Sequence, residues 1–140
     1  MHILSLLRPA TARHPLYSHR VACGFPSPAQ DHVEKRLSLD ELLGLHAPHI
    51  YLVRAEGHSM EGLAIYDGDL LVVDKSKTAQ AGNIVVAALH GEPLVKQLRR
   101  HGRYWALHSA HPDYPPVMVE EEEALNIWGV VRYSLRQHDE

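Results

Sequence analysis

From Ile50 onward the apolar positions fall into short dense runs, and their lengths predict strands. Ile50-Tyr51-Leu52-Val53-Arg54-Ala55 is the first. Leu70-Leu71-Val72-Val73-Asp74 and Ile84-Val85-Val86-Ala87-Ala88-Leu89 follow as continuous apolar stretches of buried-strand length. His90-Gly91-Glu92-Pro93 predicts a hairpin turn into Leu94-Val95-Lys96-Gln97-Leu98. Arg99 to Gly102 then turns the chain into Tyr104-Trp105-Ala106-Leu107, and Ile127 to Tyr133 closes the domain. Many short strands separated by Gly, Asp and Pro turns predict a mainly β fold, a small sandwich or barrel.

Residues 1–48 read differently. They carry prolines at 9, 15, 26, 28 and 48 and no sustained alternation, which predicts an extended, mobile N-terminal arm. Short helical pieces are the most it could hold. Ser27-Pro28 resembles an N-cap followed by a first-turn proline. Ser38-Leu39-Asp40-Glu41 fits a capping box, with Leu39, Leu42 and Leu43 on one face and Gly44 and Pro48 ending the turn. The expected organisation is an arm over 1–48 and a β-rich domain over 49–140.

Composition narrows the function classes. At 140 residues the chain suits one compact domain, and a net charge of −3 supplies no global field towards nucleic acid or anionic lipid. Cys23 is the only cysteine, so no internal disulfide forms, which points to a reducing, cytoplasmic setting. The apolar start Met1-His2-Ile3-Leu4-Ser5-Leu6-Leu7 ends at Arg8, too short for a signal peptide or a membrane span.

Candidate chemistry centres on two residues. Ser59 follows a predicted strand and Gly57, a residue that tolerates unusual backbone angles. A serine exposed on such a turn can attack a carbonyl, and its own N–H can help hold the oxyanion together with a neighbouring N–H. The plainer role is a serine capping a turn. A serine hydroxyl needs a base, and Lys96 is the candidate. Alternation places it on one strand face with Leu94 and Leu98, so its ammonium points towards apolar neighbours unless it snorkels to water. Burial lowers a lysine pKa, at about 1.4 kcal/mol per unit, a cost proteins rarely maintain without a use. The third element is Val21-Ala22-Cys23-Gly24-Phe25. Its small residues let an extended chain enter a narrow cleft, and Pro26 and Pro28 keep the following backbone out of helix. A thiol enzyme built on Cys23 lacks an evident partner base.

Taken in order, Cys23-Gly24, Gly57-His58-Ser59-Met60, Tyr66-Asp67-Gly68-Asp69 with Leu-Leu-Val-Val-Asp after it, and Val95-Lys96 resemble the LexA/UmuD group of self-cleaving S24 peptidases. Cys-Gly-Phe-Pro-Ser-Pro-Ala at 23–29 is closer to the UmuD/MucA branch than to LexA-type repressors, and the resemblance runs from about residue 15 to 133. The stretch before Cys23 is also too short for a repressor's DNA-binding domain, so no sequence-specific DNA binding is expected. The resemblance implies Ser59 as nucleophile, Lys96 as general base, His58 and Ser59 N–H groups as oxyanion donors, and Cys23-Gly24 as the bond cut, with no cofactor. It further implies cleavage stimulated by a RecA–single-stranded DNA filament during the SOS response. The shortened homodimer then joins a UmuC-type Y-family polymerase for translesion synthesis. His58 departs from the acidic residue common there. A non-catalytic module of the same fold that binds polymerase or filament is the competing expectation, and a signal-peptidase relative acting on other proteins is a third.

Other signals carry less. Twelve histidines show no His-Glu-x-x-His spacing, with His108 and His111 in a Pro-rich turn, so no metal site is expected. Tyr66-Asp67-Gly68-Asp69 reads as a strand-entry turn. Arg99, Arg100 and Arg103 read as a solvated hairpin tip, and Glu120 to Glu123 as an acidic loop.

Overall fold

The computed structural model describes residues 12–18, 20–24 and 33–139. The chain divides into two compact units, Met1–Ala47 and Pro48–Glu140. The Ser27-Pro28 pair lies outside the described residues.

The first unit holds more sheet than its sequence predicts. Strand β1 (His14–Tyr17) pairs antiparallel with β2 (Val33–Leu37), from His14↔Leu37 to Tyr17↔Val33. Both are almost wholly exposed, so neither shows the one-sided apolar alternation that marks a half-buried strand. Only the serine half of the capping box forms, since the Glu41 carboxylate pairs with Arg13 and, among the described residues, no bond returns to it from Ser38 N–H. Helix α1 (Leu39–Leu43) starts at Ser38, whose Oγ accepts from Glu41 N–H, and ends at Gly44 with φ 68°. Leu43 is buried whereas Leu39 and Leu42 are exposed, so the expected three-leucine face reduces to one residue. Arg13 and Glu41 pair at 2.7 Å.

The second unit is a seven-stranded antiparallel sheet. Its strands are β3 (Ile50–Arg54), β4 (Leu70–Asp74), β5 (Ile84–Leu89), β6 (Glu92–His101), β7 (Tyr104–His108), β8 (Val117–Val119) and β9 (Leu125–Leu135), in the order β3-β4-β9-β5-β6-β7-β8. Strand β5 explains its unbroken apolar run. Val86 packs in one core cluster with Leu71, Val73, Met60 and Ile65, while Val85 and Ala87 pack in a second with Leu98, Leu107 and Val130. Successive side chains point to opposite faces, and here each face has a core to enter. Strand β9 crosses between β4 and β5 with register shifts opposite Val72/Val73 and Val86/Ala87. Gly129 sits there, where an added Cβ would lie 2.6 Å from Val73 Cγ1.

Two turns are tighter than the sequence suggests. The β5–β6 turn is His90-Gly91 alone, with φ 50° and 82°, and Glu92 and Pro93 already pair with Leu89 and Ala88. Proline is tolerated because β7 covers β6 only from Gln97 to His101, leaving an open edge at Pro93. Likewise Arg99 and Arg100 are strand residues, and the tip of the β6–β7 hairpin is Gly102-Arg103. His108 ends β7 rather than lying in a turn. Strand β8 was not expected, being three residues long behind Pro115-Pro116. Among the described residues no helix is long and apolar enough to cross a membrane.

Candidate active site

The segment after β3 is held in a fixed loop by short-range bonds. Gly57 takes φ 93°, and its N–H donates to Asp67 Oδ1 at 2.8 Å. Ala55 N–H donates to Asp69 O and Gly68 N–H to Ala55 O, each at 2.8 Å. Met60, 4% exposed, sinks into the first core and anchors the residue before it, Ser59. Ser59 is half-buried, and its carbonyl accepts from Ala110 N–H at 2.7 Å. Among the described residues the N–H groups of His58 and Ser59 have no hydrogen-bond partner. Neither donor is thus committed to another group there. The His58 side chain is exposed and pairs with Glu61 at 2.7 Å.

Lys96 comes from the middle of β6, between half-buried Leu94 and fully buried Leu98, both packed in the second core. Its Nζ lies 2.8 Å from Ser59 Oγ. It also lies 2.8 Å from Ser109 Oγ, and 5.6 Å from the centre of the Tyr114 ring. Burial pushes the Lys96 pKa below the ordinary lysine value. A lysine so placed loses its proton more readily, and the neutral amine can then accept one from a serine hydroxyl within hydrogen-bond reach. A cavity of about 430 Å³ opens beside the pair, lined by Val53, Ala55, Met60, Ile65, Val86 and Trp128 among others. It suits an extended segment with small or apolar side chains.

The structure brings Ser59 and Lys96 into contact. Cys23 and Gly24 are exposed in a bend of the first unit. Three contributors escape sequence reasoning. Ser109 bonds the amine, Asp67 fixes Gly57, and Arg136 forms a two-pronged pair with buried Asp69 at 2.9 Å on each oxygen. The Tyr66–Asp69 turn is therefore a brace for the Ser59 loop. The β6–β7 register ends at Gln97↔His108, next to Lys96 on one strand and Ser109 beyond the other.

The site thus joins a serine hydroxyl to a half-buried lysine in a β-rich unit, and family comparison places the chain among serine peptidases. The peptidase S24-like model matches residues 15–132, and the chain belongs to that family, on its UmuD/MucA branch. It is 43% identical to protein MucA of Salmonella typhimurium over 125 residues, covering 89% of this chain and 85% of that protein. Protein SamA of Salmonella typhimurium strain LT2 is 40% identical over 123 residues, 88% of this chain and 85% of its own. The LexA repressor of Bordetella avium is 39% identical over 119 residues, 85% of this chain and 55% of the repressor.

Proposed function

We propose that this protein is a self-cleaving serine peptidase in which Ser59 is the nucleophile and Lys96 the general base. The observation that carries the reading is the 2.8 Å approach of Lys96 Nζ to Ser59 Oγ in a partly desolvated setting. The substrate is the chain's own Cys23-Gly24 bond. Ser59 Oγ attacks the Cys23 carbonyl carbon while its proton passes to neutral Lys96, and the N–H groups of His58 and Ser59 hold the resulting oxyanion. Lys96 then returns the proton to the Gly24 nitrogen as the peptide C–N bond breaks. Residues 1–23 remain esterified on Ser59, and a water activated by Lys96 hydrolyses that ester.

Docking of the apolar Val21–Gly24 segment over the amine would exclude water and favour its neutral form further. A RecA–single-stranded DNA filament stimulates that docking in this reading. The shortened homodimer serves as accessory subunit of a UmuC-type Y-family polymerase in the SOS response. Support for this wider role is the similarity to MucA and to LexA repressors.

The test is mass spectrometry of purified full-length protein held at alkaline pH, with and without the filament. The reading expects a fragment beginning at Gly24, faster with filament, and intact Ser59→Ala and Lys96→Ala chains. A chain that stays whole in every condition supports instead a non-catalytic binding module of the same fold.

A further inference from the structure

A base that must accept one proton from one direction needs its lone pair aimed. Neutral lysine has a single lone pair and two N–H bonds on a flexible four-carbon stem. Contact with Ser59 alone fixes the position of Nζ but leaves rotation about the terminal C–N bond free. The structure provides a second anchor at Ser109, 2.8 Å from Nζ and half-buried.

Ser109 is itself held firmly to the nucleophile loop. Its neighbour Ala110 donates N–H to Ser59 O and accepts from Gly62 N–H, both at 2.7 Å. Gly62 permits that approach, since a Cβ there would stand 2.6 Å from Ala110 O. Three elements are thereby locked in one frame: the Ser59 loop, the β7 end and the β6 lysine. Further along the same loop, the Tyr114 ring covers Nζ at 5.6 Å and meets His111 edge-on.

We infer that Ser109 is a positioning residue for Lys96: its Oγ accepts an N–H bond from the amine and so aims the lone pair at the Ser59 hydroxyl. This rests on the Ser59–Lys96 reading above. Two effects follow together. Losing the Ser109 hydroxyl removes the aim, which lowers the maximal cleavage rate by about 10- to 100-fold. It also removes an acceptor that stabilises the ammonium more than the amine, so Lys96 titrates at lower pH than before. A loop that was merely loosened would slow cleavage without moving that titration downward.

The experiment compares wild type, Ser109→Ala and Ser109→Thr as full-length chains. Self-cleavage rates are taken from pH 7 to 10, and the Lys96 side-chain carbon is titrated by NMR in a Ser59→Ala background that keeps the chain whole. Ser109→Ala is expected to lower the plateau rate and shift the Lys96 midpoint down, with Ser109→Thr restoring most of both. An unchanged Lys96 midpoint in Ser109→Ala overturns the inference, as does a wild-type plateau. If wild type itself never cuts, the peptidase reading fails separately. The NMR midpoint then still decides whether Ser109 bonds the amine: a downward shift supports that contact, and no shift overturns it.

Discussion

Gly62→Ala separates the packing at this site from ordinary chain statistics, because the two predict opposite signs. Gly62 has no left-handed φ, so backbone entropy alone would make alanine stabilising by about 0.4–1 kcal/mol. The structure says otherwise. The new Cβ would lie 2.6 Å from the Ala110 carbonyl oxygen and 3.2 Å from both its carbonyl carbon and its Cβ. Backbone cannot yield as a side-chain tip can, so the Ala110 strap must move. Its two backbone hydrogen bonds, to Ser59 and from Gly62, are the first to stretch. At about 0.5–1.5 kcal/mol each, their loss outweighs the entropic gain and leaves a net destabilisation of roughly 0.5–2 kcal/mol. For a domain of this size each kcal/mol moves Tm by about 4–8 °C. Thermal unfolding followed by circular dichroism, in a Ser59→Ala background, reads the result directly. An unchanged or raised Tm would refute the claim that Gly62 is dictated by close approach to Ala110.

Three further outcomes are expected. Tyr51 Oη is the one buried side-chain polar atom without a partner among the described residues, so Tyr51→Phe should raise stability by about 1 kcal/mol in urea unfolding. Arg136→Gln should lower Tm at pH 7 by stranding Asp69. The Arg136 hydrogen bond holds that carboxyl below its ordinary pKa, so wild type has this stabilisation in full above about pH 4 and loses it as pH falls through the depressed value. The gap between the two proteins should therefore close in acid melts. Lys96→Met should abolish cleavage yet raise Tm near neutral pH, since it removes a charge held in a desolvated place. That advantage should shrink as pH rises through the lowered lysine pKa, where wild type sheds its proton; an advantage constant with pH would contradict a desolvated Lys96.

What was legible in the sequence tracks what is decided locally. Strands β4 and β5 are plain because they are buried along nearly their whole length, so the apolar run needs no phase. Ser59 and Lys96 stand out because one is set by Gly57 and the other breaks an apolar face between Leu94 and Leu98. Strands β1 and β2 were invisible for the opposite reason, as exposure on both faces leaves no pattern to read. Pro93 misplaced a turn boundary because its tolerance depends on how far β7 extends along β6, a tertiary fact. Ser109 and Arg136 reach the site through pairing across 13 and 67 residues, which no local pattern carries.

The most direct measurement of the central claim is the rate of self-cleavage of purified protein between pH 7 and pH 10, followed by appearance of the chain beginning at Gly24. A desolvated Lys96 acting on Ser59 requires the rate to climb with pH as the amine loses its proton, and requires Ser59→Ala and Lys96→Ala to stay whole throughout. A flat profile, or cutting by either variant, would contradict it.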